Sequence, residues 1–233
     1  MADNLEGQGG VEGAGDYGLL YRHYERCFDE HGDSCKGVDW PNEEGAKLRY
    51  EMMLAVLSMD TAPARGDAAE RPPRLLDVGC GLSHLYSHML AMPTPPRAEY
   101  VGLDISQKFV DASIAKFPGV TFHCLDLLKD DLPAGAEVDY IVMNGVFTEK
   151  RELSYAEMRT FLFSMLKRAY VIAERGFAFN VMSKIVDFER DDLFHFPADE
   201  IAEFCAKTLK TRHFAMRSYG IYEYTFYVFK TPE

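Results

Sequence analysis

From residue 74 onward, short apolar runs alternate with longer stretches of helical spacing. Apolar runs at 74–79, 99–104, 120–124 and 138–143 predict strands. Val138–Met143 is nearly continuous in apolar character, as a strand covered on both faces requires. Phe177–Met182 predicts a fifth strand, and His213–Ser218 and Ile221–Lys230 predict two more, joined at Tyr219-Gly220 in a tight hairpin. Helical spacing follows the first run through Leu90. It returns over 155–173, with Gly176 suiting the C-terminal end of that helix, and over Ala198–Leu209. Upstream, Leu20, Tyr24, Cys27 and Phe28 share one face of a helix over Tyr17–Phe28. Leu48, Met52, Ala55, Val56 and Met59 share a face of another over 42–59, with Pro41 at its start. Alternating strands and helices imply an α/β fold, a parallel sheet with helices on both faces, into which the last hairpin inserts one antiparallel strand.

Residues 1–16 are rich in Gly and acids and predict a disordered tail. Residues 17–233 then form a single domain: an N-terminal helical cover over 17–60, an Ala/Pro/Arg-rich connector over Thr61–Pro73, and a core over 74–233. The chain contains no internal repeat.

The composition narrows the function. A formal net charge of −12 argues against nonspecific binding to nucleic acid, which needs basic surface. No apolar run approaches the length of a membrane span, and no basic-then-apolar leader opens the chain. Five cysteines without framework spacing read as reduced thiols, consistent with a cytoplasmic location.

The candidate chemistry lies where the first strand ends. Arg74-Leu75-Leu76-Asp77-Val78 runs into Gly79-Cys80-Gly81 and then a helix. Glycines allow bare backbone to approach a ligand, and a helix start offers unpaired N–H groups. A second strand ends in Asp104, as a ribose-binding carboxylate requires. The third glycine of a dinucleotide site is absent, since position 84 is His84. An acid at the strand end repels a pyrophosphate and suits a cation. A third strand ends at Asp126, and three strand-end acids in succession are hard to explain as helix caps.

On these residues the chain resembles the class I S-adenosylmethionine-dependent methyltransferases, from about Arg74 to the C-terminus, with Ser83 where that family has its third motif glycine. The resemblance implies a Rossmann-like, seven-stranded, mostly parallel sheet of order 3-2-1-4-5-7-6. It implies S-adenosyl-L-methionine as methyl donor and S-adenosyl-L-homocysteine as product. Asp77, Gly79 and Gly81 would form the cofactor turn. Asp104, followed by Ile105, would hold the ribose. Asp126 would accept from the adenine amino group, with Leu127 on the ring, and Asn144 would lie beside the reacting methyl. The layout His31–Ser34, Gly37–Trp40, Leu48–Tyr50 and Tyr222–Thr225 is similar to a little-characterised bacterial branch of the same family. There Trp40 would roof the site and Arg49 would clamp the cofactor carboxylate. Their alternatives are a loop anchor for Trp40 and a surface acid as partner of Arg49.

The stretch Ser183–Phe196 mixes aromatics and charges and is long for a connection, which predicts a substrate-facing flap. His195 in it is the candidate base, and Tyr219, Tyr222 and Glu223 at the hairpin would orient the acceptor. His84 and His88 stand four apart without a third ligand nearby, so no metal is assigned. The expected activity is methyl transfer to an oxygen or nitrogen of a small-molecule acceptor, with no nucleic-acid or membrane partner. A protein acceptor and a non-catalytic S-adenosylmethionine sensor are the alternatives. Asn144–Phe147 lacks the two prolines typical of amino-methylating DNA enzymes.

Overall fold

The computed structural model describes residues 12–60 and 71–230. Most of the connector and the first eleven residues of the expected tail lie outside it. The described end of that tail is packed rather than loose. Gly13 and Gly15 lie against Thr160 and Glu157, and Ala14 between them is fully buried.

The elements are α1 (Gly18–His31), a single 3-10 turn (Lys36–Val38), α2 (Glu43–Leu54), α3 (Val56–Met59), β1 (Arg74–Val78), α4 (His84–Ala91), β2 (Glu99–Asp104), α5 (Gln107–Lys116), β3 (Thr121–Cys124), β4 (Val138–Phe147), α6 (Tyr155–Ile172), β5 (Ala173–Met182), α7 (Ala198–Lys207), β6 (Phe214–Ser218) and β7 (Glu223–Phe229). The sheet order is β3-β2-β1-β4-β5-β7-β6, parallel except for β7, which is antiparallel to both neighbours.

Strand alternation builds two cores. Leu76, Ile141, Met143, Phe177 and Phe179 point to one face, under α6 and α7. Leu75, Tyr140, Val142, Ala178 and Tyr227 point to the other, under α2 and α4. The apolar strands predict this, because each needs a partner on both sides. Side chains fix the starts of α2 and α6. Asn42 caps α2 through Gly45 N–H at 2.7 Å. Ser154 and Glu157 form a reciprocal capping box on α6.

Three boundaries differ from expectation. The helix over 42–59 is interrupted at Ala55. Gly176 lies inside β5 rather than at a helix end. A Cβ there would meet the Val228 carbonyl at 2.6 Å, so the residue is small because β7 crosses it closely. Asn144–Phe147, beyond the end of the predicted strand at 143, continues β4 across a register shift, with Gly145 at φ +79°. Such a bulge re-aims side chains where strands end. Among the described residues no helix is long and apolar enough to cross a membrane.

Candidate functional site

Two cavities open side by side at the C-terminal edge of the parallel strands, where open α/β sheets bind ligands. The first, of about 180 Å³, is walled by the β1–α4 turn, the ends of β2 and β4, and α1. The second, of about 610 Å³, is bounded by α1, the ends of β4 and β5, the flap and the β6–β7 hairpin. Trp40 lines both.

The first cavity gathers Asp77, Gly79, Gly81, Asp104, Ile105, Asp126, Leu127 and Asn144. Gly79 and Gly81 adopt φ +72° and +51°, a conformation glycine takes without cost. Ser83, in the place of the third glycine, also has positive φ, +54°. Its hydroxyl donates to Ser113 Oγ at 2.8 Å, and Ser113 donates in turn to the Gly81 carbonyl at 2.9 Å, which ties the strained position to α5. Asp104 accepts from Gly81 N–H at 2.8 Å and from Ser106 N–H at 2.9 Å, so the ribose candidate also braces the turn. Burial pushes its carboxyl up to about 6, against those backbone donors. Asp77 accepts from the Tyr100 hydroxyl at 2.7 Å. Burial, and after it the charge of Asp104, pushes Asp77 up to about 7, although the Tyr100 bond pulls the other way. Two carboxyls driven upward by burial favour a ligand that brings positive charge.

Asp126 accepts from the Tyr17 hydroxyl at 2.6 Å and pairs with Lys129 at 2.9 Å. Tyr17 stacks on Phe161, with ring centroids 5.0 Å apart, so α1 enters the cavity at its Asp126 end. Asn144 Oδ1 is buried without a hydrogen-bond partner. An orphan acceptor of this kind calls for a donor from a ligand or water. Along with the glycine turn and the paired carboxyls, it fits a cofactor that carries ammonium and hydroxyl donors.

Arg49 does not reach this cavity. It faces the second one, where its guanidinium grips both carboxylate oxygens of buried Glu223, with Nε 3.0 Å from each. Its carboxylate partner is thus internal, which replaces the expected clamp on a cofactor carboxylate. The guanidinium carbon lies 4.2 Å from the Trp40 ring centroid. Glu223 also accepts from Asn180 Nδ2 at 2.8 Å, and Asn180 Oδ1 accepts from Gly145 N–H at 2.7 Å. A buried polar chain therefore runs from Arg49 through the start of β7 to the β4 bulge. Sequence reasoning missed Asn180, since one polar residue inside an apolar strand was its sole signal.

The second cavity corrects the assignment of His195. Its Nδ1 lies 2.6 Å from the Ser183 carbonyl, and its Nε2 accepts from Arg190 N–H at 3.3 Å. Both ring nitrogens are engaged by flap backbone and the ring is buried, so it anchors the flap and is not positioned as a base. Phe194 and Phe196 are fully buried beside it, whereas Phe188 is 75% exposed. The flap is thus anchored at its C-terminal half and exposed at its tip. Tyr222 stands at the rim, 62% exposed, with φ +59°, and its carbonyl accepts from Ser183 N–H. Glu223, expected to orient the acceptor at the hairpin, is buried beneath it.

The unanticipated cluster in this cavity is His23, Asp39, Glu149 and Arg151. Arg151 Nε donates to Glu149, and its Nη2 donates to Asp39. His23 Nε2 lies 2.7 Å from Asp39 and 3.7 Å from Glu149. Burial, then the neighbouring Asp39 charge, pushes Glu149 up to about 7 despite Arg151. His23, Cys27 and Asp39 bring donor atoms within 4.8 Å of one another, but the Arg151 guanidinium occupies the cation position. His84 turns to Asp33 at 2.6 Å while His88 packs on Tyr50, so the two do not converge.

A methyltransferase-domain family matches residues 76–167, the segment that supplies the strand-end walls of the first cavity. A Mycobacterium tuberculosis protein named as a methyltransferase is 26% identical over 167 residues, covering 70% of this chain and 96% of its own length. Among solved structures, the magnesium protoporphyrin IX methyltransferase of Synechocystis with bound S-adenosylmethionine aligns with a TM-score of 0.61 at 16% identity. That alignment covers 98% of this chain and 100% of that one. A plantazolicin methyltransferase in complex with a pentazolic analogue and S-adenosylhomocysteine aligns with a TM-score of 0.57 at 11% identity, covering 94% and 95%.

Proposed function

We propose that this chain is a class I S-adenosylmethionine-dependent methyltransferase and that it methylates a small-molecule acceptor held in the second cavity. Bound in the first cavity, the cofactor would supply a methyl group already activated by a positive sulfur. The chain's own work is then alignment and exclusion of water. Asp104 would take the ribose hydroxyls and Asn144 Oδ1 a donor of the methionine end. Asp126 would take the adenine amino group, for which Tyr17 now competes.

The observation that carries this reading is the shared Trp40 wall between two adjacent cavities, one lined by the cofactor motif and one by mixed apolar and charged groups. The second cavity is of small-molecule size. It is partly enclosed by the flap, which favours a small acceptor over an extended polymer. The related structures named above belong to enzymes with dissimilar acceptors, so the acceptor must be argued from this cavity.

Calorimetry with S-adenosylmethionine and S-adenosylhomocysteine tests the first cavity. Transfer of labelled methyl to a small-metabolite pool, compared with transfer to a protein pool, tests the second. Label found only in protein would replace this reading with a protein acceptor. Binding without transfer to either pool would favour a sensor.

A further inference from the structure

We propose that Glu149 is the general base of the reaction and that the acceptor atom it serves is a phenol- or enol-class hydroxyl. The assignment rests on the second cavity being the acceptor's.

Placement is the first argument. Asn144, Gly145 and Val146 line the cofactor cavity, and Thr148 and Glu149 line the second. One stretch of chain thus passes from methyl donor to acceptor, and three residues span at most about 10 Å. Thr148 Oγ1 donates to the Gly145 carbonyl at 3.0 Å, and Glu149 bridges backbone-to-backbone to Leu193 of the flap. The backbone that carries the carboxylate is therefore fixed from both sides at the cavity wall, and its side chain is 12% exposed.

Its surroundings are the second argument. From α1 it faces His23, Tyr24 and Cys27; from the turn after the 3-10 helix it faces Asp39; from its own segment, Arg151; from the flap, Arg190 and Asp192. Arg151 binds both carboxylates and cancels one of the two charges. With Glu149 ionised the trio carries one net negative charge; with Glu149 protonated it carries none. The one surplus charge is the Glu149 carboxylate itself, and it is discharged when that carboxylate takes a proton, so an ammonium group would find no lasting counter-charge there. A neutral hydroxyl fits that balance better than an amine. A base lifted toward neutrality by burial works best on a hydroxyl of pKa near about 10, the phenol range, where the proton-transfer mismatch is small. Trp40, Met182, Leu193 and Ile221 give the cavity an apolar wall for the body of such a molecule.

The step balances as follows. The hydroxyl proton passes to the Glu149 carboxylate. The oxygen lone pair forms the new C–O bond to the methyl carbon, and the broken C–S pair stays on sulfur, leaving a neutral thioether and a methyl ether. Protonated Glu149 then loses its proton toward His23, 3.7 Å away, and solvent.

The test uses the full chain, S-adenosylmethionine and a panel of monophenols, catechols and primary amines, read by S-adenosylhomocysteine release. Wild type should turn over phenols, with kcat rising through about pH 7. Glu149→Gln should lower kcat at least 100-fold, abolish that limb and leave the KM for S-adenosylmethionine within twofold. Asp39→Asn removes the like charge and should shift the limb to lower pH, which covers the case in which Glu149→Gln misfolds. Turnover of amines alone overturns the hydroxyl class, as does a wild type that binds the cofactor but methylates nothing in the panel. An unchanged limb in Glu149→Gln overturns the base. Failure to bind S-adenosylmethionine would instead overturn the cofactor reading beneath it.

Discussion

Arg49 of α2 and Glu223 of β7, 174 residues apart, form a buried pair in which the guanidinium bonds both carboxylate oxygens and stacks on Trp40. The pair ties the helical cover to the hairpin side of the sheet, directly beneath the second cavity. Truncating one partner strands the other charge out of water, which costs about 3–5 kcal/mol. Arg49→Met should therefore destabilise strongly in urea denaturation. Arg49→Met combined with Glu223→Leu should recover part of the loss, because a buried ion pair replaced by apolar groups is often neutral, while Asn180 Nδ2 loses its acceptor. Equal destabilisation in the single and double variants would show that the two residues are not coupled.

The raised carboxyl of Asp77 makes stability depend on pH in an unusual direction. An unfolded Asp titrates near about 4, whereas folded Asp77 titrates at about 7. Between those values the folded chain holds a proton that the unfolded chain has lost. Folding stability from this group therefore falls as pH rises from about 4 to about 7 and is flat beyond. Asp77→Asn keeps the Tyr100 bond and removes the charge. It should raise the Tm of the ligand-free protein at pH 8 and flatten the slope across that window. Melting curves from pH 5 to 8 decide it; a wild-type Tm that climbs through this range would contradict the assignment.

For the wild type, a ligand with positive charge near Asp77 and Asp104 should bind more tightly as pH rises through 6–7, since it favours the ionised forms. Asp104→Ala removes a carboxylate and releases Gly81 N–H, and should weaken S-adenosylmethionine by about 1–3 kcal/mol. Calorimetry measures both effects, with the Tm of the variant as the control for folding. Unchanged affinity would remove Asp104 from the cofactor site.

The strands and the glycine turn were legible because they rest on local patterns, apolar runs and acids at strand ends, whereas the strand order came from the family resemblance and agrees with the sheet observed. Asp77, Asp104, Asp126 and Asn144 come together because parallel strands end on one edge. What the sequence could not show depends on partners far away in the chain. Arg49 was readable as a clamp but not as the partner of Glu223. His195 stood out as a histidine in a long loop, yet only the fold reveals that Ser183 and Arg190 occupy its nitrogens. Glu149 gave no signal, because it becomes unusual only when Asp39 and His23 are brought to it from 110 or more residues away. The helix α5 was missed in the sequence, because its buried face comprises just Phe109, Val110 and Ser113.

Gly145 offers an optical test of the wall between the cavities. At φ +79°, an added Cβ would lie 2.8 Å from two Trp40 ring carbons. Gly145→Ala should cost about 1–3 kcal/mol through the left-handed backbone alone, and should push the indole off its seat. Trp40 is the single tryptophan in the chain, so its emission reports that displacement without labelling. A shifted emission maximum and a drop in turnover, with the fold retained by circular dichroism, are expected. An unmoved spectrum in a folded variant would mean that Trp40 does not rest on the bulge.

His195→Ala separates an anchor from a base. The substitution deletes a buried ring and both of its flap hydrogen bonds, each worth about 1 kcal/mol net. The flap should therefore become more accessible to proteolysis between Ser183 and Phe196, and the Tm should fall. Turnover should drop through a higher acceptor KM, because the flap bounds that cavity, while the rise of kcat with pH persists. The proton acceptor in this account is Glu149, which the substitution leaves in place. A variant whose flap remains protease-resistant but whose pH limb has vanished would reverse the two roles. Hydrogen exchange at Arg190 and Ser183 gives an independent reading, since Arg190 N–H loses its acceptor in the variant and Ser183 N–H keeps the Tyr222 carbonyl. Protection should fall at Arg190 first.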